Sequence, residues 1–127
     1  MATLKELARQ VKIVAEHEGV EPSPDFTPGH RPYKVRLTYQ HRAMTTPFFM
    51  GPALEHEPTA EEVLEALLSD ASTFESTRSF EEWAAELGFD SDSRKAARIY
   101  RLTKMQTDKL KRLLSTDYEV FLYADRD

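Results

Sequence analysis

Residues 79–114 read SFEEWAAELGFDSDSRKAARIYRLTKMQTDKLKRLL and predict two capped helices joined by a tight turn. Ser79 and Glu82 have the spacing of a capping box, and apolar residues then recur at helical spacing. Gly88 follows the last of these apolar residues and predicts a Schellman ending, in which the next residue folds back toward Trp83. The chain therefore leaves the first helix in a defined direction, with Trp83 in the core.

The second helix is predicted to begin at a cap formed by Asp90 or Asp92 and to end at about Leu114. Its core side is expected to consist of Ile99, Tyr100, Thr103, Gln106, Leu110, Leu113 and Leu114. At about 100° per residue, one outer side collects cations and is interrupted by Met105 and Asp108. These cations are Arg94, Arg98, Arg101, Lys104 and Arg112. The helix is thus predicted to be amphipathic, with a basic outer face.

Upstream, a second capping box at Thr59 and Glu62 predicts a helix over residues 60–75. Its apolar stripe is Val63, Leu64, Leu67, Leu68, Ala71 and Phe74. A third box, at Thr3 and Glu6, predicts a short helix over residues 3 to 9. We expect the acidic residues of the middle helix to lie off its apolar stripe and to face solvent.

Strict alternation over residues 33–39, YKVRLTY, predicts a strand, and residues 45–50 predict its hairpin partner, which Pro47 places at an edge or a bulge. Residues 11–17 also alternate, which favours a strand, although a helix ending at Gly19 fits the same apolar spacing. Prolines make residues 20–32 a loop, and residues 51–58 form a second loop. The final segment, DYEVFLYADRD, is compatible with a helical turn or a strand.

These elements predict one α+β domain over residues 1–127, with a small antiparallel sheet of three strands packed against a C-terminal three-helix half. Residues 1–57 supply the short helix and the sheet, and residues 58–127 supply the helices. The chain contains no cysteine. Disulfides and thiolate chemistry are therefore excluded, which agrees with a reducing compartment.

Charge is divided unevenly along the chain, whose net value is −5. Residues 58–92 hold one basic and ten acidic residues, a charge of −9, whereas residues 93–115 hold eight basic residues and one acid, a charge of +7. A basic helix that follows acidic helices either binds a polyanion or is neutralised by those neighbours. Both interpretations stay open on the sequence.

No catalytic or metal-binding pattern is present in the sequence. The run from Asp90 to Ser93 resembles a calcium loop, but its sixth position is Lys95 and its twelfth is Arg101 instead of glycine and glutamate. The four histidines, His17, His30, His41 and His56, lack metal-site spacing. Paired carboxylates such as Glu82 and Glu86 are better explained by solubility and capping. We expect no cofactor, no metal and no enzyme activity.

The order of the motifs resembles a family of small, uncharacterised proteins of tailed bacteriophages and phage-derived bacterial regions. The resemblance rests on TTPFFMG (45–51), PTAEEVLEALLSDAS (58–72), SFEEWAAEL (79–87) and GFDSDSRKAARIY (88–100), and it covers almost the whole chain. The chain departs from the pattern near Gly51 and in the C-terminal tail. The resemblance implies a phage setting and an α+β fold, and it transfers no catalytic residue.

We therefore expect a non-enzymatic accessory protein in the cytoplasm of a bacterial host, with no membrane span. The first hypothesis is that it binds a host protein, for example to inhibit a defence system such as a CRISPR effector. Its acidic surface would comprise Glu61, Glu62, Glu65, Glu82 and Glu86. The alternative is a nucleic-acid-binding protein that uses the basic face of helix 93–114. Its candidate residues are Arg94, Arg98, Arg101, Lys104, Met105, Lys111 and Arg112. A monomer and a homodimer both remain open.

Overall fold

The computed structural model of the protein describes residues 2–17, 31–50 and 58–125. Its elements in chain order are α1 (Leu4–Ala8), β1 (Val11–His17), β2 (Arg31–Tyr39), β3 (Arg42–Met50), α2 (Ala60–Ser76), α3 (Phe80–Glu86), α4 (Arg94–Leu114), a 3₁₀ turn (Ser115–Asp117) and α5 (Tyr118–Leu122). The predicted α+β class and the three-stranded antiparallel sheet are confirmed.

The sheet has the order β1-β2-β3, so β3 is an edge strand, as Pro47 indicated. The strand alternative for residues 11–17 is confirmed. β3 begins at Arg42 and not at Thr45, because Tyr39 pairs directly with Arg42 across a two-residue turn. Gln40 makes this turn with a φ of 56°. The sequence does not indicate this conformation, because glycine and asparagine are the residues that usually mark a positive φ in such turns. β2 likewise begins at Arg31, inside the predicted proline loop, while residues 20–30 of that loop lie outside the described residues.

Alternation along the strands gives the sheet one buried and one open face. The buried side chains are Val11, Tyr33, Val35, Leu37, Tyr39, Met44, Thr46 and Phe48. They pack with α1, α2, α5 and the C-terminal half of α4 in one core cluster. Residues of opposite parity on β1 and β2, such as Val14 and Arg36, are exposed. The helices therefore cover one side of the sheet and leave the other side to solvent.

The hydrogen bonds that cap the helix N-termini agree with the prediction, with two differences. At Thr59 both arms of the capping box form with Glu62. At Ser79 the hydroxyl accepts from the backbone N–H of Glu82, but the carboxylate of Glu82 accepts from the N–H of Arg78, one residue earlier than a capping box requires. The aspartate cap predicted for α4 is wrong: Ser93 is the N-cap and accepts from the N–H of Ala96. Asp90 instead uses its backbone carbonyl, which accepts from the N–H of Ser93 and closes the preceding turn.

Helix α3 ends in the predicted Schellman motif. Gly88 has a φ of +79°, the N–H of Phe89 donates to the carbonyl of Ala84, and the Phe89 ring stacks on Trp83 with centroids 6.1 Å apart. Trp83 is 1% exposed, so its predicted core position is confirmed. It centres a second cluster that is separate from the main core and is completed by Ala84, Ala96 and neighbouring aromatic residues.

The last segment, left open between helix and strand, is the short helix α5. Phe121 is fully buried and meets Tyr39 edge to face, with ring centroids 5.4 Å apart. The Tyr39 hydroxyl donates to Asp117 at 2.8 Å, which ties the end of β2 to the 3₁₀ turn. The C-terminal half therefore has a fourth helix, α5, in addition to the three predicted. This short helix closes the main core.

Candidate functional site

The outer face of α4 is an extended charged surface. All of its predicted cations are exposed, namely Arg94, Arg98, Arg101, Lys104 and Arg112. We call them the basic stripe. From Arg94 to Arg112 it runs about 27 Å at 1.5 Å per residue. Met105 lies within it and is 37% exposed. Four of the five cations lie in the first half of the helix, and the exposed Asp108 separates them from Arg112 at the C-terminal end.

Three cations of the stripe are not paired with acidic side chains of the described residues. Lys111, on the flank of α4, pairs with Glu75 of α2 and lies 5.6 Å from the ring centroid of Tyr118. Lys111 therefore belongs to the helix packing more than to a binding surface. Within residues 2–17, 31–50 and 58–125, no acidic side chain lies within ion-pair distance of Arg94, Arg101 or Lys104. Their positive charge is fully available to a partner.

A groove between β3 and α4 adjoins the C-terminal end of the stripe. Its volume is about 440 Å³, and it is lined by Arg42, Ala43, Met44, Thr45, Lys109, Arg112 and Leu113. We call it the β3–α4 groove. Three of these seven residues are cations and none is acidic. Because Arg112 belongs to both features, the groove continues the positive surface of the stripe around the edge of the sheet.

Two cations of the groove are held in place by backbone carbonyls. The Arg42 guanidinium Nε donates to the carbonyl of Leu113 at 2.7 Å, and Lys109 Nζ donates to the carbonyl of Thr45 at 2.7 Å. A carbonyl orients a cation without cancelling its charge, unlike a carboxylate. Both side chains are half-buried. The groove therefore presents pre-positioned positive charge with donor capacity left over.

The open face of the sheet extends this positive surface. A shallower pocket of about 210 Å³ is lined by Val14, Glu16, Lys34, Arg36 and Thr45. Lys34 and Arg36 are exposed on β2, and Glu16 is the one acid among these lining residues. Thr45 lines both this pocket and the β3–α4 groove. The two depressions therefore meet at Thr45.

The predicted acidic surface is divided between two helices. Glu61, Glu62 and Glu65 lie on α2, whereas Glu82 and Glu86 lie on α3. Two of these carboxylates accept hydrogen bonds from backbone N–H groups at helix starts: Glu62 from Thr59, and Glu82 from Arg78. Glu65 and Glu86 are exposed on the surface.

Shifted pKa values occur away from the basic surface. Desolvation by its surroundings raises the pKa of Asp70, which lines a small cavity of about 90 Å³ beside Trp83 and Thr103. Burial and a hydrogen bond to Glu75 raise the pKa of Tyr118 far above its usual range. These groups stand apart from one another, and within the described residues no cluster of three or more ligating side chains could hold a metal ion. His30 and His56 lie outside the described residues.

The structure adds two cations that the sequence-based site did not include, Arg42 and Lys109. Lys109 lies about 60° around the helix from Arg112, toward the buried side, so a search for the outermost stripe passes over it. Arg42 falls between the predicted strands at residues 33–39 and 45–50, whereas in the structure it begins β3. A shorter hairpin turn would have placed Arg42 at the first position of β3 and signalled its approach to α4.

Comparison with known proteins adds no relative. No protein-family model, no curated protein and no solved structure matches this chain. Among the helices of the described residues, none is both long and apolar enough to span a membrane. Function must therefore be argued from the surface itself.

Proposed function

We propose that this protein binds nucleic acid through the basic stripe of α4 and the adjoining β3–α4 groove, without catalysing a reaction. The observation that carries the proposal is that Arg94, Arg101 and Lys104 meet no acidic partner among the described residues, although acidic helices precede α4 in the chain. Unpaired, exposed cations in a row are the electrostatic footprint of a phosphate-binding surface.

The dimensions of the surface suit a phosphate backbone. The stripe is about 27 Å long, which approaches the 34–36 Å of one turn of B-DNA. Five cations that each neutralise a phosphate give a salt slope of about −4.5 on duplex DNA and about −3.5 on a single strand. Binding of this type is strongest at low salt, where the attraction between exposed cations and phosphates is least screened.

The test is fluorescence anisotropy of labelled 20-nucleotide strands and 20-base-pair duplexes with the intact protein. The double variant R98E/R101E places two negative charges in the middle of the stripe, and we expect it to weaken binding at least 100-fold at 50 mM salt. Its matched control is K5E/R9E, which changes the net charge equally at two exposed residues of the α1 region. Equal losses in the two variants, or binding that survives R98E/R101E, would rule out the stripe.

A second candidate function is docking on a host protein, the role that the phage resemblance suggests, with inhibition of a defence nuclease as one outcome. The observation that favours it is an apolar side chain beside the acidic surface: Leu87, at the end of α3, is 48% exposed next to the exposed Glu86. An apolar centre with a charged rim is the usual anatomy of a protein interface.

Capture of the tagged protein from bacterial lysate, with and without nuclease treatment, separates the two functions. One dominant protein that persists after nuclease, and is lost in the variant L87E but not in R98E/R101E, would support docking. Material that disappears with the nuclease would support nucleic-acid binding. The exposed Val120 offers a matched control, since V120E adds the same charge at an apolar surface residue of α5.

A further inference from the structure

We propose that the β3–α4 groove holds one nucleotide unit of a single strand, with its phosphate among Arg42, Lys109 and Arg112 and its base against the apolar floor. This inference rests on the proposed nucleic-acid binding and specifies the form of the ligand. It predicts that single strands bind better than duplexes, a distinction that the basic stripe cannot make by charge alone.

The phosphate part of the inference follows from the charges of the lining. Three cations surround the groove and no acid lines it. Arg42 and Lys109 are oriented by carbonyl oxygens at 2.7 Å, so their side chains are already ordered before a ligand arrives. Such preorganisation removes much of the entropy loss that long cationic side chains suffer on binding. The phosphodiester of a strand carries one negative charge on two free oxygens, which accept charge-assisted hydrogen bonds from cations of this kind.

The base part follows from the floor and the volume of the groove. Ala43, Met44 and Leu113 are apolar, and a volume of about 440 Å³ falls within the range of small-molecule sites. A lone phosphate would leave this apolar lining, in which Ala43 is exposed and Met44 and Leu113 are buried, without a contact. Arginine guanidinium planes also stack on bases, and the groove has Arg42 and Arg112 at its border. A flat, apolar ring attached to an anion therefore matches the lining more completely than either group alone.

The preference for a single strand follows from how the groove joins the stripe. Arg112 contributes to both, so a backbone that follows the stripe to its C-terminal end reaches the groove there. A base enters the groove only when it is unpaired and turned away from its neighbours. A duplex keeps its bases paired and is left with the stripe alone. The single strand gains the groove contacts in addition.

The test compares four probes on the full chain: AMP, inorganic phosphate, a 12-nucleotide single strand and the corresponding 12-base-pair duplex. Calorimetry at 50 mM salt should show AMP binding with a Kd on the order of 1 mM and phosphate at least tenfold weaker. The single strand should bind at least tenfold more tightly than the duplex. Equal binding of AMP and phosphate would overturn the base contact.

Variants at the groove keep the inference separate from the stripe. Ala43 is exposed, so A43E introduces an acid into the groove without disturbing the core, and A43S is its matched control. A43E should abolish AMP binding and remove the single-strand preference, and A43S should change neither. K109M, which keeps the length of the side chain, should weaken AMP binding at least fivefold. R98E/R101E should weaken binding of both polymers by a much larger factor than binding of AMP, because its added charges lie about 12 Å or more from Lys109 along the helix.

Failure of the inference and failure of the proposed function give different results. Polymer binding that depends on the stripe, but shows no strand preference and ignores A43E, overturns the groove inference alone. AMP binding without any polymer binding overturns the proposed function and, with it, the strand part of the inference. A glutamate-rich peptide that displaces AMP with higher affinity would overturn the assignment to nucleotides. Circular dichroism and melting curves of each variant confirm that the protein is folded.

Discussion

Replacing Gln106 with leucine tests the contact that holds β3 against α4 and so shapes the groove. Gln106 is 9% exposed, and its side-chain amide donates to the Thr46 hydroxyl at 3.1 Å and to the Pro47 carbonyl at 3.0 Å. Pro47 lies on an edge strand, where no further strand can accept or donate. The glutamine thus takes the place of a missing neighbour strand.

The expected cost follows from what each partner keeps after the change. Thr46 still donates its own hydroxyl to the Pro47 carbonyl at 3.0 Å, so neither oxygen is fully orphaned in Q106L. The loss is therefore that of two ordinary hydrogen bonds, about 1 kcal/mol each, reduced by the easier burial of leucine. We expect the free energy of unfolding to fall by about 1–2 kcal/mol. At a urea slope of about 1.5 kcal/mol/M, the midpoint moves by about 1 M.

The assay is urea unfolding followed by far-UV circular dichroism and by the fluorescence of Trp83. T103V is the matched control: Thr103 is a buried polar residue on the same helix, but its hydroxyl bonds only to the Ile99 carbonyl one turn earlier. T103V should change the free energy of unfolding by less than about 0.5 kcal/mol. If Q106L did not lower the free energy of unfolding more than T103V does, the helix–strand contact would not depend on these hydrogen bonds.

Three further predictions concern charge, backbone and pH. Neutralising Arg98 and Arg101 to glutamine should reduce the salt slope of duplex binding by about 1.8, measured by anisotropy between 50 and 200 mM salt; an unchanged slope would show that these side chains do not contact phosphates. G88A should destabilise by about 1 kcal/mol, and G88N by less, in thermal melts; because nothing lies within 4 Å of an added Cβ, only the positive φ is responsible, and a neutral G88A would contradict that strain. Desolvation raises the pKa of Asp70 in the folded protein above its ordinary 3.8. The stability that protonated Asp70 contributes is therefore fully present below pH 3.8 and is lost as the pH rises through the raised pKa. D70N should therefore melt higher than the parent at pH 7 and equally at pH 3; an equal melting temperature at both pH values would contradict the raised pKa.

Local signals in the sequence were sufficient for most of the fold. Capping boxes, apolar periodicity, alternation and Gly88 each act within a few residues, and they located four helices and three strands. The errors fall where several residues compete for one role. Three residues could each cap α4, namely Ser93 and the two aspartates before it. The direction in which the chain leaves the Asp90 turn decides between them. The hairpin turn at Gln40 lacks the glycine or asparagine that usually marks a positive φ.

The stripe was predictable from the sequence and the groove was not, for a physical reason. Helical periodicity places the stripe cations on one side through angles alone. The groove joins Arg42 to Lys109 and Arg112, which lie on different elements and meet only once β3 packs along α4. Whether acidic helices neutralise a basic one is also a tertiary question. The structure answers it for Lys111, which pairs with Glu75.

Helix α4 serves the fold and the proposed binding surface with different sides, and this couples ligand binding to stability. Its buried side fixes the edge of β3 through Gln106 and Lys109, while its outer side carries the stripe. A nucleotide in the groove would contact both β3 and α4 and would therefore resist their separation. A ligand that binds only the folded state at 100 times its Kd adds about 2.7 kcal/mol to the free energy of unfolding. Ligands confined to the stripe touch a single helix, so they should stabilise the junction of β3 and α4 less, at equal saturation, than ligands that enter the groove.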